Sequence, residues 1–143
     1  MTVFTINTLG VDDALNAITS TSEEQHPQVV VDTDPSMGTA LLSNSQTSDV
    51  SAINQTSIRL RGNAVLRAGD SVTVDAGEEA TVHAEDDAIV IITEGTPTVR
   101  ASDRAKVTLL EGVGGVLYLE DPTVELYESA QHNVLIRRLY ENA

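Results

Sequence analysis

The groups in this sequence with the most chemical potential are carboxylates, and they recur at a spacing. Asp70, Glu78–Glu79, Glu85–Asp86–Asp87, Asp103, Glu111 and Glu120–Asp121 return roughly once per eight residues. Stacked one above another at about 5 Å, such groups repel, and a hard cation such as calcium or magnesium would relieve the repulsion. The competing expectation is a solvated acidic edge that blocks aggregation between strands. A Gly- and Asp-rich calcium-binding nonapeptide is absent, which favours the solvated edge. No cofactor is expected, with calcium or magnesium at the acidic turns as the alternative.

Other reactive side chains form no recognisable constellation. His26, His83 and His132 are scattered, and His83 has no second histidine at ligand spacing. No serine occupies a G-x-S-x-G elbow. Carboxylate pairs for glycosidase chemistry can be picked anywhere in so acidic a chain, so none is informative. Gly112-Val-Gly-Gly115 lacks the strand–helix context of a phosphate loop and reads as an irregular coil or bulge. An ice-binding face needs regular Thr-x-Thr pairs, whereas Thr73, Thr81, Thr98, Thr108 and Thr123 are single and interrupted by charge. The expectation is a non-enzymatic protein.

The elements that carry these residues repeat. Units of eight begin at Thr56, Ala64, Val72, Ala80 and Ala88, then, after the extra Thr96, at Pro97 and Ala105. A Val113–Gly114 insertion precedes a short unit at Gly115, followed by units at Pro122 and Ala130. Positions 1, 3 and 5 are small or apolar (Val74 and Ala76, Val82 and Ala84), while positions 2 and 4 are mostly polar (Thr73 and Asp75, Thr81 and His83). Alternation of this kind is a half-buried strand with its odd positions facing inward. The acidic and glycine-rich positions 6 to 8 are the turns. Stacked units point to an all-β, single-domain β-solenoid of about ten octads. An antiparallel meander is the alternative, disfavoured by the missing Asn-Gly and Asp-Gly hairpin turns. Coils of two or of three strands both fit.

Residues 1–55 do not share the beat and read as an N-terminal arm or cap, or as a small β-subdomain packed on the repeats. Within them, Val3–Thr8 and Gln28–Asp32 alternate like strands, Val11–Ile18 suits a short helix, and Asp34–Pro35 with Gly38 forms a turn. The octads span 56–136, and 137–143 is a C-terminal tail. The 143 residues hold no cysteine, so disulfides and thiolate metal sites are excluded. A net charge of −14, with seven arginines and one lysine, argues against nucleic acid and anionic membranes as partners. It suits a halophilic source or a G+C-rich genome. No membrane span and no secretory signal are expected.

ATVHAEDD, PTVRASDR and above all TVELYESA resemble the A-T-V-x-A-Y-D/G-S octads of repetitive proteins from bacteria and their tailed phages. The likeness covers about 56–136, with Tyr127 the clear match to the motif tyrosine. It implies a virion structural component, such as a capsid decoration (cement) protein or a tail or spike module, often trimeric. The expected partners are then copies of itself and a major capsid or other virion protein, and the expected location is the virion, assembled in the host cytoplasm. The alternative is a carbohydrate- or receptor-binding module of a tail fibre, spike or cell surface. Partner contacts are expected where outward polarity fails, at Ile89 and Ile91 and at Val116 and Tyr118. On a three-sided coil these would share one face; contact with the chain's own N-terminal segment is the competing expectation. The apolar and basic Val134–Tyr140 stretch would cap the last coil or dock on an acidic neighbour.

Overall fold

The computed structural model describes residues 3–21, 27–43 and 49–141. The elements are, in order, β1 (Val3–Ile6), α1 (Val11–Thr21), β2 (Gln28–Val31), β3 (Ala40–Leu42), β4 (Asp49–Ala52), β5 (Ser57–Leu60), β6 (Val65–Ala68) and β7 (Thr73–Ala76). There follow β8 (Thr81–Ala84), β9 (Ile89–Ile92), β10 (Thr98–Ala101), β11 (Lys106–Leu109), β12 (Gly114–Leu119), β13 (Glu125–Glu128) and β14 (Asn133–Arg138). Short 3₁₀ turns occupy Pro35–Met37 and Leu139–Glu141. Among the described residues no helix is long and apolar enough to cross a membrane.

The chain is a parallel β-solenoid of about six turns, and its coil has two sides. Successive octads alternate between an eight-stranded sheet, ordered β1-β2-β4-β6-β8-β10-β12-β14, and a six-stranded sheet, ordered β13-β11-β9-β7-β5-β3. Like positions therefore stack two octads apart: Ile58 pairs with Val74 and Val74 with Val90, and Leu66 with Val82 and Val82 with Val99. The extra residue at Thr96 and the insertion at Val113–Gly114 are taken up in the turns. Gly115 sits at φ 105°, where a Cβ would lie 2.1 Å from the Pro97 carbonyl oxygen, so only glycine fits this bulge. The last six-stranded strand is out of step with the octads by two residues: Leu126, rather than Val124, pairs with Val107.

Four residues of strand and four of turn make each unit. The N–H of position 1 donates to the carbonyl of position 6 before it, as from Val72 to Gly69 (3.1 Å) and Ala88 to Glu85 (3.1 Å). This tight return puts position 7 at positive φ: 47° at Asp70, 51° at Glu78, 55° at Asp86 and 55° at Asp103. Positions 3 and 5 of both sheets interdigitate inside, and position 1 fills the corner. Ala64, Val72, Ala80, Ala88 and Ala105 are fully buried there. Alanine is common at that corner because two backbones turn close together and leave no room for more.

The coil begins before the octads do. Residues 1–55, expected as an arm, cap or separate subdomain, supply β1 to β4, which extend both sheets in parallel register. They escape the periodicity because β1, β2 and β4 are joined by long excursions rather than by four-residue turns. One excursion contains α1, whose Val11 and Leu15 are fully buried and which packs against β1 and β3. Asp12 in its first turn accepts the Ser43 N–H at 2.8 Å. The helix thus covers the N-terminal end of the core. At the opposite end Val124, Leu126 and Ile136 are only half-buried, so this end of the core is the more exposed.

Candidate functional site

The acidic turns are structural. Asp70, Asp86, Asp103 and Asp121 form one column, and each carboxylate accepts the backbone N–H of the turn one coil earlier. The distances are 2.8 Å from Asn54 to Asp70, 3.1 Å from Asp70 to Asp86, 3.1 Å from Asp86 to Asp103 and 2.7 Å from Asp103 to Asp121. On the other edge Glu78 accepts the Gly62 N–H at 2.8 Å. A non-glycine residue at positive φ costs roughly 1–3 kcal/mol, and the charge-assisted bond from the next coil offsets part of it. Each acid therefore locks two coils together, a role between the cation ladder and the merely solvated edge. Among the described residues no group of three or more His, Asp or Glu is placed to hold a metal ion.

The four expected contact residues do not share a face. Ile89 and Ile91 lie on β9 of the six-stranded sheet, and Val116 and Tyr118 on β12 of the eight-stranded one. All four are half-buried. A three-sided coil would have aligned them; a two-sided coil sends an odd octad separation to opposite sides. Neither pair forms a patch with the other.

What the two-sided coil does bring together is positive charge. Along the outward face of the eight-stranded sheet, Arg67 pairs with His83, His83 with Arg100, Arg100 with Tyr118 and Tyr118 with Arg137. Five consecutive strands thus place a cation, an imidazole or an aromatic in one register column, at about 4.8 Å per step. Arg100 is held in place: its Nε donates to Glu120 at 3.0 Å and its guanidinium lies 5.1 Å from the Tyr118 ring centre. Arg67 and Arg137 have no ion pair among the described residues. A groove of about 530 Å³ opens at the β1 side of the stripe, lined in part by Gln28, Asp49, Ser51, Arg67 and His83.

The matching column of the six-stranded sheet runs Leu41, Arg59, Asp75, Ile91, Thr108 and Tyr127, and there the charge is neutralised. Arg59 and Arg61 each bind Asp75 at 3.2 Å, Arg61 reaches Glu94 at 2.8 Å, and Lys106 lies 3.9 Å from Glu125. Partial burial raises the Asp75 pKa, but the Thr93 hydroxyl and the two guanidiniums outweigh it and hold the carboxyl below its ordinary value.

The remaining histidines take no part in either column. His132 accepts the Val134 N–H through Nδ1 at 3.1 Å, which leaves the proton on Nε2 to donate to Glu128 at 2.8 Å. His26 lies outside the described residues. The stripe escapes a residue-by-residue reading because each member is an ordinary outward position. Its signal is the fourth position of alternate octads, Arg67, His83, Arg100 and Tyr118, taken as one series.

Comparison with protein-family models, characterised proteins and solved structures finds no match to this chain.

Proposed function

We propose that this protein is a non-enzymatic structural component of a tailed-virus particle, a capsid decoration protein that works as a homotrimer. The observation that carries the reading is the contrast between its charges. Five of its carboxylates lock coils together, while one broad sheet face carries an Arg–His–Arg–Tyr–Arg column whose end arginines, Arg67 and Arg137, have no ion pair among the described residues. Recognition by a flat, preorganised face rather than by chemistry in a cleft is what an assembly component requires. The octad likeness supplies the virion setting, with a major capsid or other virion protein as the second partner. A net charge of −14 argues against nucleic acid and membranes.

The test is co-sedimentation of purified protein with particles that lack it, followed by heating. Saturable binding and a raised temperature of genome release are expected; a protein that stays in the supernatant contradicts the proposal. A second reading, binding of a carbohydrate or receptor, is favoured by the Arg100–Tyr118 stack beside a groove. Glycan-array binding that disappears in Tyr118→Ala would select it instead.

A further inference from the structure

We infer that the arginine stripe docks on the aspartate column of a second copy of this chain, joining copies face to edge. The inference rests on the proposed self-association and names its contact. It starts from an oddity of charge pairing. In a chain with 22 acidic and 8 basic residues, a cation without a carboxylate partner is out of keeping. Arg59, Arg61, Arg104 and Lys106 all lie against carboxylates of their own chain. Arg67, Arg137 and Arg138, all on strands of the eight-stranded sheet, have no ion pair among the described residues, and Arg67 and Arg137 stand at the two ends of the stripe. In so acidic a chain, arginines left without a carboxylate point to an anionic partner.

The pitch of the stripe selects the partner. Its arginines recur on every second strand, at about 9.6 Å, twice the distance between strands. Alternate side chains of an extended acidic peptide would step by about 6.7 Å, and would fall out of register within a few residues. A column of carboxylates whose alternate members match that spacing exists on this same molecule: Asp70, Asp86, Asp103 and Asp121. Each has one oxygen, Oδ2, fixed on the backbone N–H of the preceding coil. The other, Oδ1, has no partner among the described residues. The carboxylates are therefore already oriented, which lowers the ordering cost of accepting a guanidinium. Asp87 beside the column is taken up by Arg104 at 3.1 Å, so the column's own aspartates carry the contact. Contact of a face with an edge is heterologous, so each copy uses both surfaces, and the proposed trimer closes as a ring of such contacts.

Two variants of the full chain, each fold-checked by circular dichroism, test this by light scattering. Arg67→Glu/Arg137→Glu destroys the stripe and keeps the edge. Asp70→Asn/Asp86→Asn/Asp103→Asn removes the charge of the edge, leaves an amide oxygen to accept each locking N–H, suits the positive φ that Asn54 already adopts at φ 59°, and keeps the stripe. The wild type is expected at three chain masses and each variant at one. An equimolar mixture of the two variants is expected at two, because one good stripe meets one good edge and nothing remains to continue the ring. A trimeric Arg67→Glu/Arg137→Glu variant, or a mixture that stays monomeric, overturns the contact. So does a monomeric wild type whose retention on an acidic-glycan column is lost in Arg67→Glu/Arg137→Glu, which would assign the stripe to a glycan. A wild type that binds particles as a monomer defeats this inference alone. A stripe-dependent trimer that ignores particles defeats the virion reading alone.

Discussion

The two outward faces of this solenoid are made from the same octad and yet do different things. On the six-stranded sheet, Arg59, Arg61, Asp75, Thr93 and Glu94 form a closed network that satisfies itself. On the eight-stranded sheet, the equivalent column leaves Arg67 and Arg137 without a counter-charge. The interiors beneath are alike, Val and Ala or Leu packed at positions 3 and 5. A repeat therefore specifies the core through what it keeps constant and a recognition face through what it varies. The variation is sorted by whether an octad is odd or even.

That comparison can be broken most forcibly in the core. Leu60 and Leu66 are both fully buried, one per sheet. Leu60→Ala and Leu66→Ala should each cost about 2–5 kcal/mol by urea denaturation, and the two costs should agree closely. A much cheaper Leu66→Ala would mean that the eight-stranded side is not an equal partner in the core. A smaller effect separates the faces. Arg61→Ala strips a largely buried guanidinium from Asp75 and Glu94 and should cost about 1–3 kcal/mol. Arg67→Ala should stay within about 0.5 kcal/mol, because Arg67 has no ion pair among the described residues to lose. Equal losses at both sites would erase the distinction.

The smallest effect is a pH dependence confined to the six-stranded face. The folded-state pKa of Asp75 is depressed, so its network stabilises the fold above the ordinary aspartate value and the contribution fades as pH falls through the folded value. The stability gap between the wild type and Thr93→Val should be open at pH 6 and narrow steadily in acid below the ordinary aspartate value. A gap that is constant with pH would remove Asp75 from the network.

Much of this was legible in the residues. Strand positions, inward faces and turns followed from the alternation of Val74, Ala76, Val82 and Ala84 with their polar neighbours, because side-chain period and burial are local consequences of strand geometry. The parity of the coil was not. Whether Ile91 lies above Thr108 or beside Tyr118 depends on how many octads close one turn, and that is settled by corner packing between distant residues. For the same reason the carboxylate locks were invisible: the Asp86 carboxylate serves the Asp70 N–H sixteen residues back, and nothing within one octad announces it. Strands β1 to β4 were missed as coil because their connections break the beat: β1 and β2 showed strand patterns, whereas β3 and β4 are too short and too polar in their surroundings to announce themselves.

The central claim is that the eight-stranded face, and not the six-stranded one, holds this protein to its neighbours. Light scattering of Arg67→Glu/Arg137→Glu beside Ile89→Thr/Ile91→Thr tests it most directly. The account predicts a monomer for the arginine variant and an undisturbed assembly for the isoleucine variant. An intact arginine variant beside a dissociated isoleucine variant would place the contact on the other sheet and contradict it.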